Sequence, residues 1–200
     1  IRASDWSSDV CSSDLSNLSI IMDLFVRSHQ HSKTLTDEEF WELIHTIDHE
    51  YKGDSEAVVS SLIRHLKKCE DEYIFAFDDK LSELVHALDG KSWADELFGS
   101  EPFSEDKFLS ARYAAVADGM EHYSKIIGHR EKLSDDHIYD HDGKWEGETD
   151  GLMTAAAEAW SYKHNEPVSK YPHKLKYDVK SHSNAEMWQR SEERRVGKEC

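Results

Sequence analysis

The chain has 200 residues and a formal net charge of −17, with 41 acidic against 24 basic side chains. Recognition of nucleic acid and of anionic membranes rests on Lys and Arg, so this balance excludes both as partners and leaves a basic protein as the permitted one. Of the cysteines, Cys11 and Cys200 lie in the extreme ends, and Cys69 alone can build neither a disulfide framework nor a cysteine zinc site, so a reducing, cytoplasmic setting is expected.

The two ends differ from the rest. "IRASDWSSDVCSSDL" at 1–15 and "RSEERRVGKEC" at 190–200 carry no apolar periodicity and read as solvated tails. Both resemble translated sequencing-adapter sequence, which implies that they are non-native or disordered and that the biological chain runs over about 16–189, with Met22 a candidate start. The apolar run from Ile20 to Val26 is too short to span a membrane. A lead segment is expected over 16–35, a helical domain over 36–166 and a C-terminal arm over 167–189.

Long proline-free stretches rich in Glu, Lys, Leu and Ala predict an all-α single-domain bundle of six to seven helices. Thr36 and Glu39 form a capping box before Phe40, Ile44, Ile47 and Tyr51, which share a stripe, and Leu35 faces Phe40 as a hydrophobic staple. Gly53 ends that helix. Asp54 or Ser55 caps a second, whose inner face is Val58, Val59, Leu62, Ile63 and Leu66. A third starts near Asp71, turns Ile74, Phe77, Leu81, Leu84, Val85 and Leu88 inward and stops at Gly90. A short helix over 93–98 follows.

Ser104 caps the next helix, which the periodicity carries past Gly119, a possible kink, to Gly128, with Phe108, Ala111, Tyr113, Ala115, Met120, Tyr123, Ile126 and Ile127 inward. Residues 131–150 hold eight acids against two lysines and read as a loop. A last helix starts at Thr149 or Asp150, with Leu152, Met153, Ala156, Ala157 and Trp160 on its face; beyond Pro167 an arm or short strand is expected.

Phe108, Arg112, Gly119 and Tyr123 stand at the spacing F-x3-R-x6-G-x3-Y, behind an acidic "SED" and a segment containing Trp93, with "FWELI" at 40–44 far upstream. This frame resembles a bacterial family named domain of unknown function 4240, over about 36–133 and more loosely to 166. The chain departs from the family pattern where Ala114 and Ala115 replace a Trp-Leu pair and where a Gly-Cys before the Ser is missing. The resemblance implies a helical fold with Phe40, Trp41, Trp93, Phe108, Arg112, Gly119 and Tyr123 as its frame, and it supplies no catalytic residues.

Chemistry is sparse. His45 and His49 share a helix face opposite Ile44 and Ile47, yet Thr46 stands where a zinc-protease motif needs Glu, so a solvated face is expected. The best metal candidate is "SDDHIYDHD", with Asp135, His137, Asp140 and His141 as ligands, although it lies in a polar stretch without evident support. Trp145, with Asp136 and Asp142 nearby, is a candidate anchor for a partner. Arg112 reads as an anion clamp or as an ion pair with Asp106, Asp118 or another acid; one Cys without a placed His is weak as a nucleophile. No cofactor motif occurs. The sequence therefore reads as a non-catalytic binding or regulatory module, with toxin neutralisation as one concrete form. The alternative is a metal-dependent enzyme using the 135–142 cluster.

Overall fold

The computed structural model of the protein describes residues 33–47, 55–134 and 148–189, and over these it is helical without a strand. Helix α1 (Asp37–Ile44) begins at the capping box: Thr36 Oγ1 accepts the Glu39 N–H at 3.2 Å and Glu39 Oε2 accepts the Thr36 N–H at 2.6 Å. Two of the orphan donors of the first turn are thereby satisfied. Helix α2 (Ser55–Leu66) buries the five apolar residues its periodicity selects. Helix α3 (Asp71–Ala87) turns Tyr73, Ile74, Phe77, Leu81 and Val85 inward, while Leu84 stays on the rim.

Helix α4 (Lys91–Phe98) starts from Gly90, where an added Cβ would lie 2.9 Å from the Met187 Cβ and 3.0 Å from the Trp93 ring. Helix α5 (Glu105–Ala117), capped by Ser104, is the central element: Phe108 and every residue from Ser110 to Val116 are buried. A helix buried all round lacks an amphipathic stripe, and Ala111, Ala114 and Ala115 let α3, α6 and α7 approach it.

The expected single helix from Ser104 to Gly128 is in fact two. Asp118 closes α5, and Gly119, at φ +92°, starts helix α6 (Met120–Ile127) on a new axis. The break shifts the phase of the apolar stripe. Tyr123 and Ile126 stay inside, whereas Met120 is 55% and Ile127 38% exposed, against the expectation that both face the core. Helix α7 (Glu148–His164) lies along α2 and also touches α5 and α3. Its core residues are Leu152, Ala155, Ala156, Ala159 and Trp160; Ala157 sits beside that face, not on it.

Asn165, at φ +53°, and Pro167 turn the chain out of α7 into a 3₁₀ turn (Val168–Lys170). An irregular arm follows, with bends at 176–177 and 180 and a turn at 181–182, and ends in helical residues 185–189. It forms no strand. No arm residue from 165 to 189 is buried, so the arm lies on the outside of the bundle.

Candidate functional site

The frame residues lie inside and hold the bundle together. Phe40 packs edge-on to Trp41 and stacks on Phe77, with ring centroids 5.2 Å apart, and Trp41 meets Tyr123 at 5.6 Å. The Tyr123 hydroxyl donates to the Leu84 carbonyl at 3.0 Å, fixing α6 to α3. Trp93 Nε1–H donates to the Ile126 carbonyl, and its indole is stacked on His129. Above Gly119 sits the exposed ring of His45, whose Nε2 would be 3.5 Å from an added Cβ. These residues couple helices and offer no reactive group to solvent.

Arg112 is fully buried and is no ion pair with Asp106 or Asp118. Its Nε–H donates to the Phe108 carbonyl, Nη1 to Val85 O at 3.3 Å and Nη2 to Val179 O at 2.8 Å, while the guanidinium lies over the Phe108 ring. Three carbonyls, from α5, α3 and the arm, use the planar fork that Lys lacks. Burial pulls its pKa down to about 10, and the charge of nearby Asp89 opposes the shift.

Asp89, equally buried, stands just past the end of α3. Oδ1 accepts the His182 N–H at 3.1 Å and the Trp188 indole N–H at 2.8 Å; Oδ2 accepts the Asn184 N–H at 2.9 Å and the Ser183 hydroxyl at 3.0 Å. One carboxylate thus gathers four donors from seven consecutive residues of the arm. The Asn184 side chain donates to His86 O, and His86 Nδ1 lies 2.7 Å from Asp178 O. Trp188 completes the closure by packing edge-on to Phe108 and Phe103, with His182 against its ring.

The same pattern runs back along α3. Asp79 Oδ1 accepts the Lys176 N–H and pairs with His173 Nε2, each at 2.9 Å, and the His173 ring is stacked on Phe75. Asp78 accepts the Tyr171 hydroxyl at 3.0 Å. Burial raises the Asp78 pKa to about 6; the Tyr171 bond and His173 oppose this, and Asp79 adds to it. Asp71, at the start of α3, takes Lys163 at 2.6 Å and His164 at 2.9 Å. Burial pushes its pKa up, and those two donors outweigh the effect, leaving it below the usual carboxylate range. Spacings of seven and eight residues keep Asp71, Asp78 and Asp79 along one side of α3, and Asp89 follows just past its end.

The sequence-predicted metal ligands Asp135, His137, Asp140 and His141 lie outside the described residues, as do Asp136, Asp142 and Trp145. Among the described residues no group of three or more His, Cys, Asp or Glu is arranged to hold a metal. A shallow groove of about 300 Å³ between α2 and α7 is lined by Ile63, Arg64, Lys67, Glu158 and Tyr162, without converging buried polar groups. No described helix is long and apolar enough to cross a membrane.

A family described as "Protein of unknown function (DUF4240)" matches residues 35–162. The chain belongs to this family. No curated protein and no solved structure matches it. The DUF4240 match takes in α1 to nearly the end of α7, and with them Asp71, Asp78, Asp79, Asp89 and Arg112, while the arm that Asp78, Asp79, Asp89 and Arg112 hold lies beyond it. Sequence reasoning found Arg112 and missed the α3 acids and Trp188. For Asp71, Asp78 and Asp79 the signal was their spacing on one side of α3; Asp89 and Trp188 carried none.

Proposed function

We propose that this DUF4240 protein is a non-catalytic binding or regulatory module for a basic protein partner, with toxin neutralisation as one concrete form. The observation that carries the reading is the acidic side of α3 and its end, where Asp71 takes Lys163 and His164 of α7 while Asp79 and Asp89 hold the arm through backbone N–H groups, an imidazole, a hydroxyl and an indole. Carboxylates aimed at such donors form strong, oriented bonds and suit recognition. The buried frame residues supply packing, and the net charge of −17 favours electrostatic capture of a cationic surface.

The test is kinetic. A partner captured from the native host is purified, and its association with the protein is followed as ionic strength rises from about 0.01 M to 1 M, shrinking the Debye length from roughly 30 Å to 3 Å. The expected result is a basic partner whose association rate falls steeply with salt. An acidic partner, or a rate indifferent to salt, overturns the reading.

A further inference from the structure

Asp78 and Asp79 are consecutive on α3, and the arm lays one aromatic donor on each. The Tyr171 hydroxyl donates to Asp78 Oδ2 at 3.0 Å, and His173 Nε2 lies 2.9 Å from Asp79 Oδ1, which also accepts the Lys176 N–H at 2.9 Å. Rings shield the pair from water. Phe75 is stacked on His173 with centroids 4.8 Å apart, Tyr171 stands edge-on to Phe75 at 5.8 Å and to Trp160 at 5.9 Å, and the His173 side chain is only 16% exposed. Like charges on neighbouring residues repel more strongly in such a place than in open solvent. Among the described residues, the charged and titratable groups around Asp78 come from four elements. Asp79 is on α3, Tyr113 on α5, and Tyr171 and His173 are on the arm. Lys163 and His164 of α7 are taken up by Asp71. Burial raises the pKa of both phenols, so they keep their protons at neutral pH. His173 is therefore the group that brings a positive charge to the two aspartates.

We propose that Asp78, Asp79, Tyr171 and His173 form a pH-sensitive clasp, which holds the first half of the arm firmly in mild acid and more loosely at neutral pH. In mild acid Asp78 carries its proton and His173, as imidazolium, pairs with Asp79, so the clasp has no net charge. At neutral pH both aspartates are ionised, and a neutral imidazole gives Asp79 one N–H. The clasp then holds two negative charges opposite neutral donors: a phenol, an imidazole and the Lys176 amide. Burial raises the Asp78 pKa to about 6, with Tyr171 and His173 opposing and Asp79 adding to it. A carboxyl whose folded pKa is raised stabilises the closed form on the acid side, and that contribution is lost as pH rises through the folded value. The clasp needs no partner, so its pH response is separate from any binding by the protein.

Hydrogen exchange of the full chain reads the clasp at the Lys176 amide, whose N–H is bound to Asp79. Its protection factor, corrected for the intrinsic exchange rate, is expected to fall about tenfold from about pH 5 to about pH 7.5. That ratio follows when a carboxyl of pKa about 6 returns to about 3.9 on local opening. The amides of His182 and Asn184, bound to Asp89 in the second half of the arm, are expected to change less. Asp78→Asn should remove most of the fall. His173→Gln, which keeps an N–H donor and brings no charge, should reduce it. Carbon-13 NMR of the wild-type side chains should show Asp78 and His173 titrating over the range in which Lys176 loses protection. Equal protection of Lys176 at both pH values overturns the clasp, as does a fall that persists with both substitutions in place. An equal fall at His182 and Asn184 would mean that the arm or the whole domain responds as one unit, and it overturns the clasp as well.

Discussion

The Nη2 of Arg112 donates to the carbonyl of Val179 at 2.8 Å, across 67 residues of sequence, and so ties the centre of the bundle to the arm outside it. The same guanidinium holds Val85 O on α3 and Phe108 O on its own helix. Lys at this position keeps the charge and loses the fork. Arg112→Lys should leave two of the three carbonyls without a donor and remove the contact with the Phe108 ring. The expected loss is about 3 kcal/mol in urea unfolding at neutral pH. Faster amide exchange in residues 179–184 should accompany it. A variant as stable as wild type would show that the arm and α3 are held by other contacts.

Gly119 tests backbone geometry separately from packing. Its φ of +92° and ψ of 175° lie where side chains are strained, and the Cβ of Ala would meet His45 Nε2 at 3.5 Å, an ordinary contact. The cost of Gly119→Ala should therefore come from the backbone, at about 2 kcal/mol. His45→Ala should not restore it. Rescue by His45→Ala in chemical denaturation would instead assign the effect to crowding.

These two residues also show how far sequence reaches. The Thr36 capping box and the Ser104 cap were legible because donor and acceptor are three residues apart. Gly119 was visible as a possible kink, but the periodicity on either side concealed a full break, and with it the exposure of Met120 and Ile127. Arg112 was legible as an unusual inward charge, while its partners were not, since carbonyls carry no residue-type signature. Asp89 and Trp188, 99 residues apart, had no local signal at all: an acid after a helix reads as solvated until the arm that covers it is placed. The 135–142 cluster and Trp145 remain sequence expectations.

Cys69 is buried, and its thiol lies 3.6 Å from the His65 carbonyl that it faces. Burial pushes its pKa up to about 11, with Lys163 and Lys68 opposing. Thiolate is the reactive form, so the folded protein should protect this residue. Iodoacetamide labelling mapped by peptide mass should mark Cys69 slowly in buffer and quickly in guanidinium chloride. Rapid labelling of the folded chain would contradict the burial of Cys69 in the connection between α2 and α3.

Asp78 makes stability depend on pH in a direction opposite to that of most acids. Its pKa is about 6 in the folded protein and about 3.9 in an unfolded chain, because burial, aided by the charge of Asp79, disfavours the carboxylate more than the Tyr171 hydroxyl and His173 favour it. The folded state then holds the proton more tightly. The contribution of Asp78 is fully present below about pH 4 and is lost as pH rises through 6. Asn keeps an oxygen for the Tyr171 hydroxyl and brings no charge to bury. Asp78→Asn should therefore match wild type at pH 4 and exceed it by about 2 kcal/mol at pH 7 in paired urea titrations, two pKa units being worth about 2.7 kcal/mol before partial solvation. A difference that is constant across pH would mean that the two proteins differ in packing alone. A variant less stable than wild type at pH 7 would mean that the Tyr171 bond needs the charge, and that Asp78 holds the arm more strongly than burial opposes it.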